Sequence, residues 1–389
     1  MRIGLFTDQY TVGISGLVTS VTMLYEGLKK AGHTCFIFTS HTKKIKDDNP
    51  DVINLPGIPY PIKGLTDFRF SFRPEKYVDA IRACDLDIIH VHSEFFLAKV
   101  AITAAGQLDL PLVYTMHTMW EHYLGYLSRF IDSLMHERFW RSMKKMWLKP
   151  LTEKADVIIV PSEKIYRQKD RYGFGDNVTV IPTGIDLDRF APAEENRRTA
   201  ERLTEDLGIK GKTVFFYLGR VAAEKEIRTS IRAFAALRNT ENTVFVIVGE
   251  GPALAELKKL ADDLQLSGRV IFPGSVPWTE TPAWYQVGDV FISSSMTETQ
   301  GLTFVEALAS GMPMIALRDE TLTSLIHNGE NGFLCDSPES MTERMEEVAC
   351  DPELLARISG HVVPEVYEYS KEAYAAKIFA VYEGVLEKR

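Results

Sequence analysis

Short apolar runs alternate with amphipathic segments along the whole chain. In the first half, the apolar runs that predict buried strands are residues 2–7, 33–40, 87–92, 111–116, 157–160 and 178–181. In the second half they are residues 213–217, 243–248, 270–272, 290–293 and 314–316. A helical pattern over residues 18–31, ended by Gly32, separates the first two runs. This alternation of strand and helix predicts an α/β protein with doubly wound parallel sheets.

The rhythm is interrupted once, over residues 181–190, which read IPTGIDLDRF. Pro182 and Gly184 break regular structure after a strand, and an acidic, Arg-rich segment then begins a new unit. At 389 residues the chain is long for one core and sufficient for two. We therefore expect a hinge close to residue 185 and two domains on either side of it.

The stretch 291–311, FISSSMTETQGLTFVEALASG, combines a buried strand, a polar loop and a helix that starts near Gly301. Free backbone N–H groups and the positive end of a helix dipole suit a phosphate. Glu298 and Glu306, eight positions apart, lie on nearly the same face, and carboxylates accept hydrogen bonds from sugar hydroxyls. The arrangement suggests a nucleotide-sugar site. The alternative is an acidic cap followed by one polar helix residue.

Composition and charge narrow the class of protein. Four scattered cysteines lack metal or disulfide-framework spacing, which favours a reducing cytosol. No apolar run is long enough to span a bilayer, and the chain opens directly into a strand rather than a signal peptide. The net charge of −9 argues against nucleic-acid binding. Residues 1–190 hold 24 Lys and Arg against 22 Asp and Glu, whereas the remainder holds 20 against 31, so the first half is the more basic.

Residues 127–151 form the most unusual segment. Basic residues recur there at three- and four-residue spacing among apolar and aromatic ones, which predicts a cationic amphipathic helix. Such a helix binds an anionic membrane surface, with each Lys or Arg contributing about 1 kcal/mol. The alternative is an ordinary helix with a solvated basic side. The expected membrane-binding residues are Arg138, Arg141, Lys145, Lys149, Trp140 and Trp147.

The pattern Glu298-(seven residues)-Glu306, followed by Ala307, the run Ala309-Ser310-Gly311 and then Pro313, resembles the signature of retaining glycosyltransferases of family 4. The segment TETQGLT, together with the segment ISGLVTS near the N-terminus, is most similar to the bacterial branch of this family that makes glucosyl-diacylglycerols. The resemblance runs from residue 1 to the C-terminus. It implies the GT-B fold, in which two Rossmann-like doubly wound domains face a central cleft.

The resemblance also implies a domain division and a set of reacting residues. A final helix near residues 371–387 would return to the first domain, giving domains of 1–185 plus 371–389 and of 186–370. His117, which follows a strand, would contact the donor sugar. Arg220 and Lys225 would bind the diphosphate, while Glu298 and Glu306 would bind the hydroxyls of the sugar and the ribose.

Further donor-binding positions follow from the same resemblance. The first turn, with Gly13 and Gly16, would close over the donor phosphates; its spacing does not fit the GxGxxG dinucleotide fingerprint. Turn geometry alone could also explain these glycines. The segment with Gly274 and Val276 would contact the base. The helix start would offer backbone groups of Thr299, Gln300, Gly301 and Leu302.

No metal site is expected. His90 and His92 alternate on a predicted strand and could mimic a pair of ligands, but no third ligand follows at a suitable spacing. The family implied by the resemblance uses no metal for transfer, and the sugar nucleotide is a substrate, so no cofactor is expected. Two departures from the family pattern concern Glu226, where Asn is common, and residues 317–321, where a Gly-rich form is common.

These observations lead to one interpretation and three alternatives. The interpretation is transfer of a hexose from a UDP-sugar, most simply UDP-glucose, to 1,2-diacylglycerol by a peripheral enzyme on the cytoplasmic face of the membrane. The first alternative keeps the transfer but replaces the lipid with a soluble or polysaccharide acceptor. The second is a nucleotide-sugar epimerase of the GT-B fold, and the third is a carbohydrate-binding module without activity.

Overall fold

The computed structural model describes residues 1–10, 16–40, 49–59, 69–70, 73–117, 142, 144–238, 241–360 and 364–389. The chain divides into two compact units. Met1–Ile185 and Ser370–Arg389 form the first unit, and Asp186–Tyr369 form the second. The return to the first unit thus begins one residue before the position 371 expected from the sequence.

The first unit is built on a seven-stranded sheet with parallel neighbours in the order β3-β2-β1-β6-β7-β8-β9. Its strands are β1 (Arg2–Phe6), β2 (Thr34–Thr39), β3 (Val52–Asn54), β6 (Ile88–Val91), β7 (Leu112–Thr115), β8 (Val157–Val160) and β9 (Val178–Val180). A separate antiparallel ribbon pairs β4 (Ile58–Pro59) with β5 (Arg69–Phe70). The helices are α1 (Gly16–Lys30), α2 (Val78–Arg82), α3 (Phe96–Leu108), α4 (Lys149–Lys154), α5 (Glu163–Tyr166) and α6 (Lys169–Tyr172). A 3₁₀ turn (Pro74–Tyr77) and a π-helical turn (Lys144–Leu148) complete the unit's first part.

Two cores lie on opposite faces of this sheet, because successive strand side chains point to opposite sides. In β6, Ile88 belongs to one core and Ile89 to the other, and both are fully buried. All four residues of β6 are buried. Burial on both faces explains why the strands read as continuous apolar runs rather than as alternating ones.

The C-terminal helix α16 (Lys371–Leu386) closes the first unit by packing on α1. A Cβ atom at Gly27 of α1 would lie 2.6 Å from the Cβ of Ala375, so glycine permits this close approach. The hydroxyls of Tyr374 and Ser20 are 2.8 Å apart, which adds a buried hydrogen bond between the two helices. The last residues of the chain therefore belong to the core of the first unit.

The second unit has a six-stranded parallel sheet in the order β12-β11-β10-β13-β14-β15. Its strands are β10 (Thr213–Leu218), β11 (Thr243–Val248), β12 (Val270–Gly274), β13 (Val290–Ser293), β14 (Met314–Leu317) and β15 (Gly332–Cys335). The helices are α7 (Leu187–Phe190), α8 (Glu194–Asp206), α9 (Ile227–Ala235), α10 (Leu254–Asp263), α11 (Thr281–Tyr285), α12 (Leu302–Ala309), α13 (Pro338–Cys350), α14 (Pro352–Ile358) and α15 (Pro364–Tyr367). Two 3₁₀ turns occupy Ala223–Lys225 and Trp278–Glu280.

Each sheet reverses its direction of winding beside its first strand. In the first unit β1 lies between β2 and β6, and in the second β10 lies between β11 and β13. Open α/β sheets bind ligands outside the carboxyl ends of the strands at such a point. The loops that follow β1, β6, β10 and β13 are therefore the places to look for a site.

The predicted fold class, α/β with two doubly wound units, is confirmed. All eleven predicted strands are present, and the helix predicted over residues 18–31 is α1, shifted toward the N-terminus. The short strands β3, β4 and β5, and the strand β15, were not predicted. Within the described ranges, none of the helices has both the length and the apolar character that a membrane span requires.

Candidate functional site

The loops after β10 and β11 meet beside the switch point of the second unit. Val221 N–H donates to the carbonyl of Glu250 over 2.9 Å, and Gly219 N–H donates to Val248 over 3.0 Å. Gly249 has φ +140°, and a Cβ atom there would lie 1.9 Å from the Gly219 carbonyl oxygen. Glycine is therefore required for the two loops to approach each other, and the approach fixes the segment that carries Arg220.

Lys225 and Glu298, both predicted as site residues, form an ion pair that joins the loops after β10 and β13. Lys225 Nζ lies 2.6 Å from Glu298 Oε1, and the two side chains are only 22% and 13% exposed. Thr297 Oγ1 donates to the carbonyl of Glu224 over 3.0 Å and ties the same loops together. A charge-assisted hydrogen bond between two mostly buried side chains holds both groups in one orientation.

Arg220 lies at the same edge but is more open, with 55% of its side chain exposed. Its guanidinium pairs with Glu224, and its backbone carbonyl accepts a hydrogen bond of 3.1 Å from Tyr217. Burial, with the nearby carboxylates of Glu298 and Glu224, raises the pKa of Tyr217 well above its usual value, so this hydroxyl stays protonated. The structure thus brings two cations, Arg220 and Lys225, to one edge of the sheet.

Glu306 occupies the second turn of α12, where Tyr285 donates a hydrogen bond of 2.7 Å to its Oε2. Burial raises the pKa of the Glu306 carboxyl, and the Tyr285 bond and the charge of Arg189 partly offset that rise. Arg189 itself stacks over the Trp278 ring, 3.2 Å from the centroid. Sequence reasoning missed Tyr285 and Arg189, because neither belongs to a motif and the fold alone brings them to Glu306.

The start of α12 is shaped by a glycine. Gly301 has φ +76° at the N-cap, and a Cβ atom there would lie 2.3 Å from the Phe304 ring. As the N-cap, Gly301 has no side chain with which to cap the helix, so the N–H groups at its very start, those of Leu302 and Thr303, suit an anion. The next N–H group, that of Phe304, donates to the Gly301 carbonyl over 3.0 Å. Thr299 is half-buried and Gln300 is buried in the loop just before it.

The segment predicted to contact the base lies at the end of β12. Gly274 has φ +92°, and its carbonyl accepts a hydrogen bond of 2.8 Å from Gly249 N–H, so the turn is joined to the loop after β11. Val276, two residues further, is half-buried. The base-contact role of this segment stays a prediction.

In the first unit, His117 follows β7 and meets His92, which follows β6. Nδ1 of His92 lies 3.1 Å from Nε2 of His117, and the rings stack with centroids 5.3 Å apart. Burial lowers the pKa of His117 to about 4, and it lowers the pKa of His92 well below its usual value. Both rings are therefore neutral near pH 7. His92 was considered on the sequence only as a half of a metal pair.

His90 has a structural position rather than a metal-binding one. Its Nδ1 lies 2.6 Å from the Tyr382 hydroxyl on α16, and its Nε2 lies 2.7 Å from Thr115 Oγ1. Both ring nitrogens are thus occupied inside the core. Among the described residues, no group of three or more His, Cys, Asp or Glu side chains could hold a metal ion.

Asp8, at the carboxyl end of β1, is a buried carboxyl that sequence reasoning missed. Ser93 Oγ donates to it over 2.6 Å, and the backbone N–H of Leu97 in α3 donates over 3.1 Å. Burial raises the pKa of Asp8 to about 6 despite these bonds. In the sequence, the feature that could have identified Asp8 was its position directly after a predicted buried strand. Its partners lie about 90 residues away in sequence and could not be read from it.

The remaining predicted residues are only partly within the described chain. Gly16 is the exposed first residue of α1, whereas Gly13, Arg138, Trp140 and Arg141 lie outside the described residues. Lys145 and Lys149 are exposed, and Lys149 pairs with Glu153 over 3.4 Å.

Trp147 differs from the expectation of a ring that faces lipid. It is half-buried, packs edge-on against Phe95 with centroids 5.7 Å apart, and has the Lys99 ammonium 4.1 Å from its centroid. The ring is thus engaged in packing inside the first unit, against residues at the start of α3. The membrane-binding role of the segment stays a prediction that rests on its cations.

Comparison with known proteins gives matches over both units. The family described as Glycosyltransferase Family 4 matches residues 14–189, and Glycosyl transferases group 1 matches residues 200–361. The alpha-monoglucosyldiacylglycerol synthase of Acholeplasma laidlawii is 34% identical over 394 residues, covering 100% of this chain and 98% of that protein. The enzyme of the same name from Streptococcus pneumoniae is 34% identical, covering 98% and 85%.

Solved structures agree on the fold. Anabaena HepE in complex with UDP and glucose superposes with a TM-score of 0.75 at 17% identity, covering 99% of this chain and 100% of that one. Sucrose-phosphate synthase from Thermosynechococcus elongatus gives a TM-score of 0.75 at 22% identity, with 100% of both chains covered. The full-length identity to the two synthases and the two family matches lead to one conclusion: the chain belongs to family 4 of the glycosyltransferases and is a glycosyltransferase of the two-domain GT-B fold.

Proposed function

We propose that this glycosyltransferase moves glucose from UDP-glucose to 1,2-diacylglycerol with retention of the anomeric configuration. The observation that carries the proposal is the 34% identity, over the whole chain, to two enzymes named for the product of this reaction. The structure of Anabaena HepE in complex with UDP and glucose supports the choice of donor. The paired side chains at the edge of the second sheet supply suitable chemistry.

The donor would lie against the loops after β10 and β13. Its diphosphate would meet Lys225, Arg220 and the open N–H groups at the start of α12. Glu298, oriented by its 2.6 Å bond to Lys225, would accept hydrogen bonds from the sugar hydroxyls. Glu306, held by Tyr285 at 2.7 Å, would do the same for the ribose. Two cations, together with the carboxylates Glu298 and Glu306, match a ligand that carries both phosphate and hydroxyl groups.

Catalysis would follow from charge that appears only as the glycosidic bond breaks. When the bond between the sugar carbon and the phosphate oxygen lengthens, negative charge grows on the β-phosphate. Lys225, Arg220 and the N–H groups stabilise this state more than they stabilise the bound donor. The acceptor hydroxyl attacks from the face that the phosphate leaves. That phosphate takes the hydroxyl proton, so the products are the glycolipid and UDP.

A lipid acceptor stays in the bilayer, so the enzyme must reach the membrane surface. The exposed cations Lys145 and Lys149 would contribute to docking, together with Arg138 and Arg141 from the same segment. The more basic first half of the chain is the half that carries them. We place the enzyme on the cytoplasmic face of the cell membrane as a peripheral protein, where UDP-sugars and diacylglycerol are both accessible.

The test is transfer from labelled donors. The protein is incubated with labelled UDP-glucose or UDP-galactose, with and without vesicles that contain diacylglycerol, and the lipid extract is analysed by mass spectrometry and anomeric proton NMR. The proposal expects an α-glucosyl-diacylglycerol that forms only with UDP-glucose and lipid, and that still forms in the presence of a metal chelator. Label that moves only to sugar acceptors, or UDP-sugar that is epimerised without any acceptor, would overturn it.

A further inference from the structure

Two imidazoles at the carboxyl edge of the first sheet share one hydrogen bond. His92 Nδ1 and His117 Nε2 are 3.1 Å apart, and the two rings stack at an angle of 18°. Burial lowers the pKa of both rings, so each is neutral near pH 7 and carries a single N–H. A single proton therefore lies between the two nitrogens, and either ring could own it.

The other nitrogen of His92 distinguishes the two arrangements. His92 is fully buried, and its Nε2 has no hydrogen-bond partner among the described residues. If His117 donated, the proton of His92 would have to be on Nε2, as a buried N–H without an acceptor. Among buried backbone groups, N–H donors without an acceptor are rarer than acceptors without a full set of donors, and we expect the same preference in a buried imidazole. The proton of His92 therefore belongs on Nδ1.

We infer that His92 is a positioning residue that donates from Nδ1 to His117 Nε2 and so fixes His117 as the tautomer protonated on Nδ1. His117 is only half-buried, and its Nδ1 contacts no acceptor among the described residues. Its remaining N–H, on Nδ1, is therefore available as a hydrogen-bond donor. An oxygen of the sugar donor is the matching chemistry, and proton abstraction by His117 is excluded, because its one lone pair is already used by His92.

Contacts with residues other than His117 fix the orientation of His92. Its backbone N–H donates to the Phe6 carbonyl over 2.8 Å, and its ring lies 4.1 Å from that of His90. His90 is in turn held on both sides, by Tyr382 of the C-terminal helix at 2.6 Å and by Thr115 at 2.7 Å. The row of three imidazoles is thus anchored to α16 at one end and presents a donor at the other.

The first test reads the tautomer directly and does not depend on activity. Nitrogen NMR of protein labelled with ¹⁵N-histidine distinguishes a protonated ring nitrogen from a bare one, and the signals of His117 are assigned by their loss in His117→Asn. The inference expects a bare Nε2 and a protonated Nδ1 in His117 at pH 7. A protonated Nε2 in His117 overturns it, whatever the activity.

The second test uses two variants of nearly equal size. In His92→Asn the amide nitrogen replaces Nδ1 as a donor, whereas His92→Leu has no donor. We expect His92→Asn to keep the tautomer and most of the turnover. We expect His92→Leu to lose the fixed tautomer and at least about tenfold in kcat, with UDP affinity unchanged. Equal turnover in both variants would show that His92 does not position His117.

The activity arm rests on the proposed function, but the two can fail separately. If the wild-type enzyme transfers no glucose to diacylglycerol, the proposed function fails while the NMR result stands. If His92→Leu does not fold, as judged by circular dichroism, the wild-type tautomer and the His92→Asn variant still decide the inference.

Discussion

Replacing Lys225 with Ala tests whether the ion pair at the sheet edge serves the reaction or only the fold. The variant leaves the Glu298 carboxylate, 13% exposed, without the partner that now lies 2.6 Å away. Loss of a charge-assisted bond in a partly buried place costs about 1.5–3 kcal/mol of folding free energy. If Lys225 also stabilises the departing diphosphate, turnover should fall by about 10²–10³, because one such donor contributes roughly 3 kcal/mol to the transition state.

A double-mutant cycle with Glu298→Gln separates the two roles. If Lys225 acts only by orienting Glu298, its removal should have little further effect once the carboxylate is gone. If Lys225 acts on the phosphate, the loss in turnover should persist in that background. Lys259→Ala is a matched control, because Lys259 forms an exposed pair with Asp263 at 2.6 Å on α10. We expect that variant to turn over normally.

The assay is release of UDP at saturating UDP-glucose with diacylglycerol vesicles, together with urea unfolding of each variant. Turnover of Lys225→Ala within about threefold of wild type would refute the assignment of Lys225 to the leaving group. A stability loss without a turnover loss would give the pair a purely structural role. Both outcomes can be read from the same five proteins: wild type, the two single variants, the double variant and the control.

Three further predictions concern stability and membrane binding. Glu226 has φ +50°, a left-handed conformation that Asn tolerates better, so Glu226→Asn should raise the free energy of unfolding by about 0.5–1 kcal/mol in urea titrations; an unchanged or lower value would contradict this. The pKa of Asp8 is raised from 3.8 to about 6 in the folded state, so as the pH rises the unfolded chain releases this proton first and stability should fall by about 2 kcal/mol between pH 4 and pH 6.5; the fall should be smaller in Asp8→Asn, and an equal fall would rule Asp8 out as its source. Co-sedimentation with vesicles should increase with anionic lipid and weaken with salt, and the double variant Lys145→Glu, Lys149→Glu should bind less than wild type; binding that ignores lipid charge would remove the docking role.

Most strands could be predicted from the sequence because parallel strands that are buried on both faces appear there as short apolar runs. β8, β10 and β11 are almost entirely apolar, and turn-forming residues bound them. Short or exposed strands do not show such an apolar run. Ile58 in β4 is largely exposed, and β3 is only three residues long, so neither stands out from a loop.

The candidate site was predictable where a motif is local and hidden where the fold assembles it. Glu298 and Glu306 are close in sequence, and their spacing identified them as candidate site residues. Tyr285 reaches Glu306 from 21 residues away. The partner of His117 is His92, which the sequence shows only as a residue on a neighbouring strand. Contacts of this kind depend on which helices and strand ends the fold brings together.

The Lys–Glu pair and the left-handed residue beside it also explain a departure from the family pattern. Glu226 directly follows Lys225 and adopts φ +50° at the N-cap of α9. The family resemblance of the sequence leads us to expect Asn here, and the short polar side chain of Asn adopts that backbone conformation at lower cost than Glu does. The backbone of Glu226 therefore keeps the conformation that presents Lys225, although its side chain differs.

The central claim is that a nucleoside diphosphate, UDP, binds beside Lys225 at the edge of the second sheet. Calorimetric titration of UDP and UMP into wild type and Lys225→Ala tests it most directly, because the two nucleotides differ only in the β-phosphate. We predict that UDP binds wild type and that the variant weakens UDP by about tenfold or more while leaving UMP nearly unchanged. A wild-type protein that does not bind UDP, or a variant that binds both nucleotides as tightly as wild type, would contradict the claim.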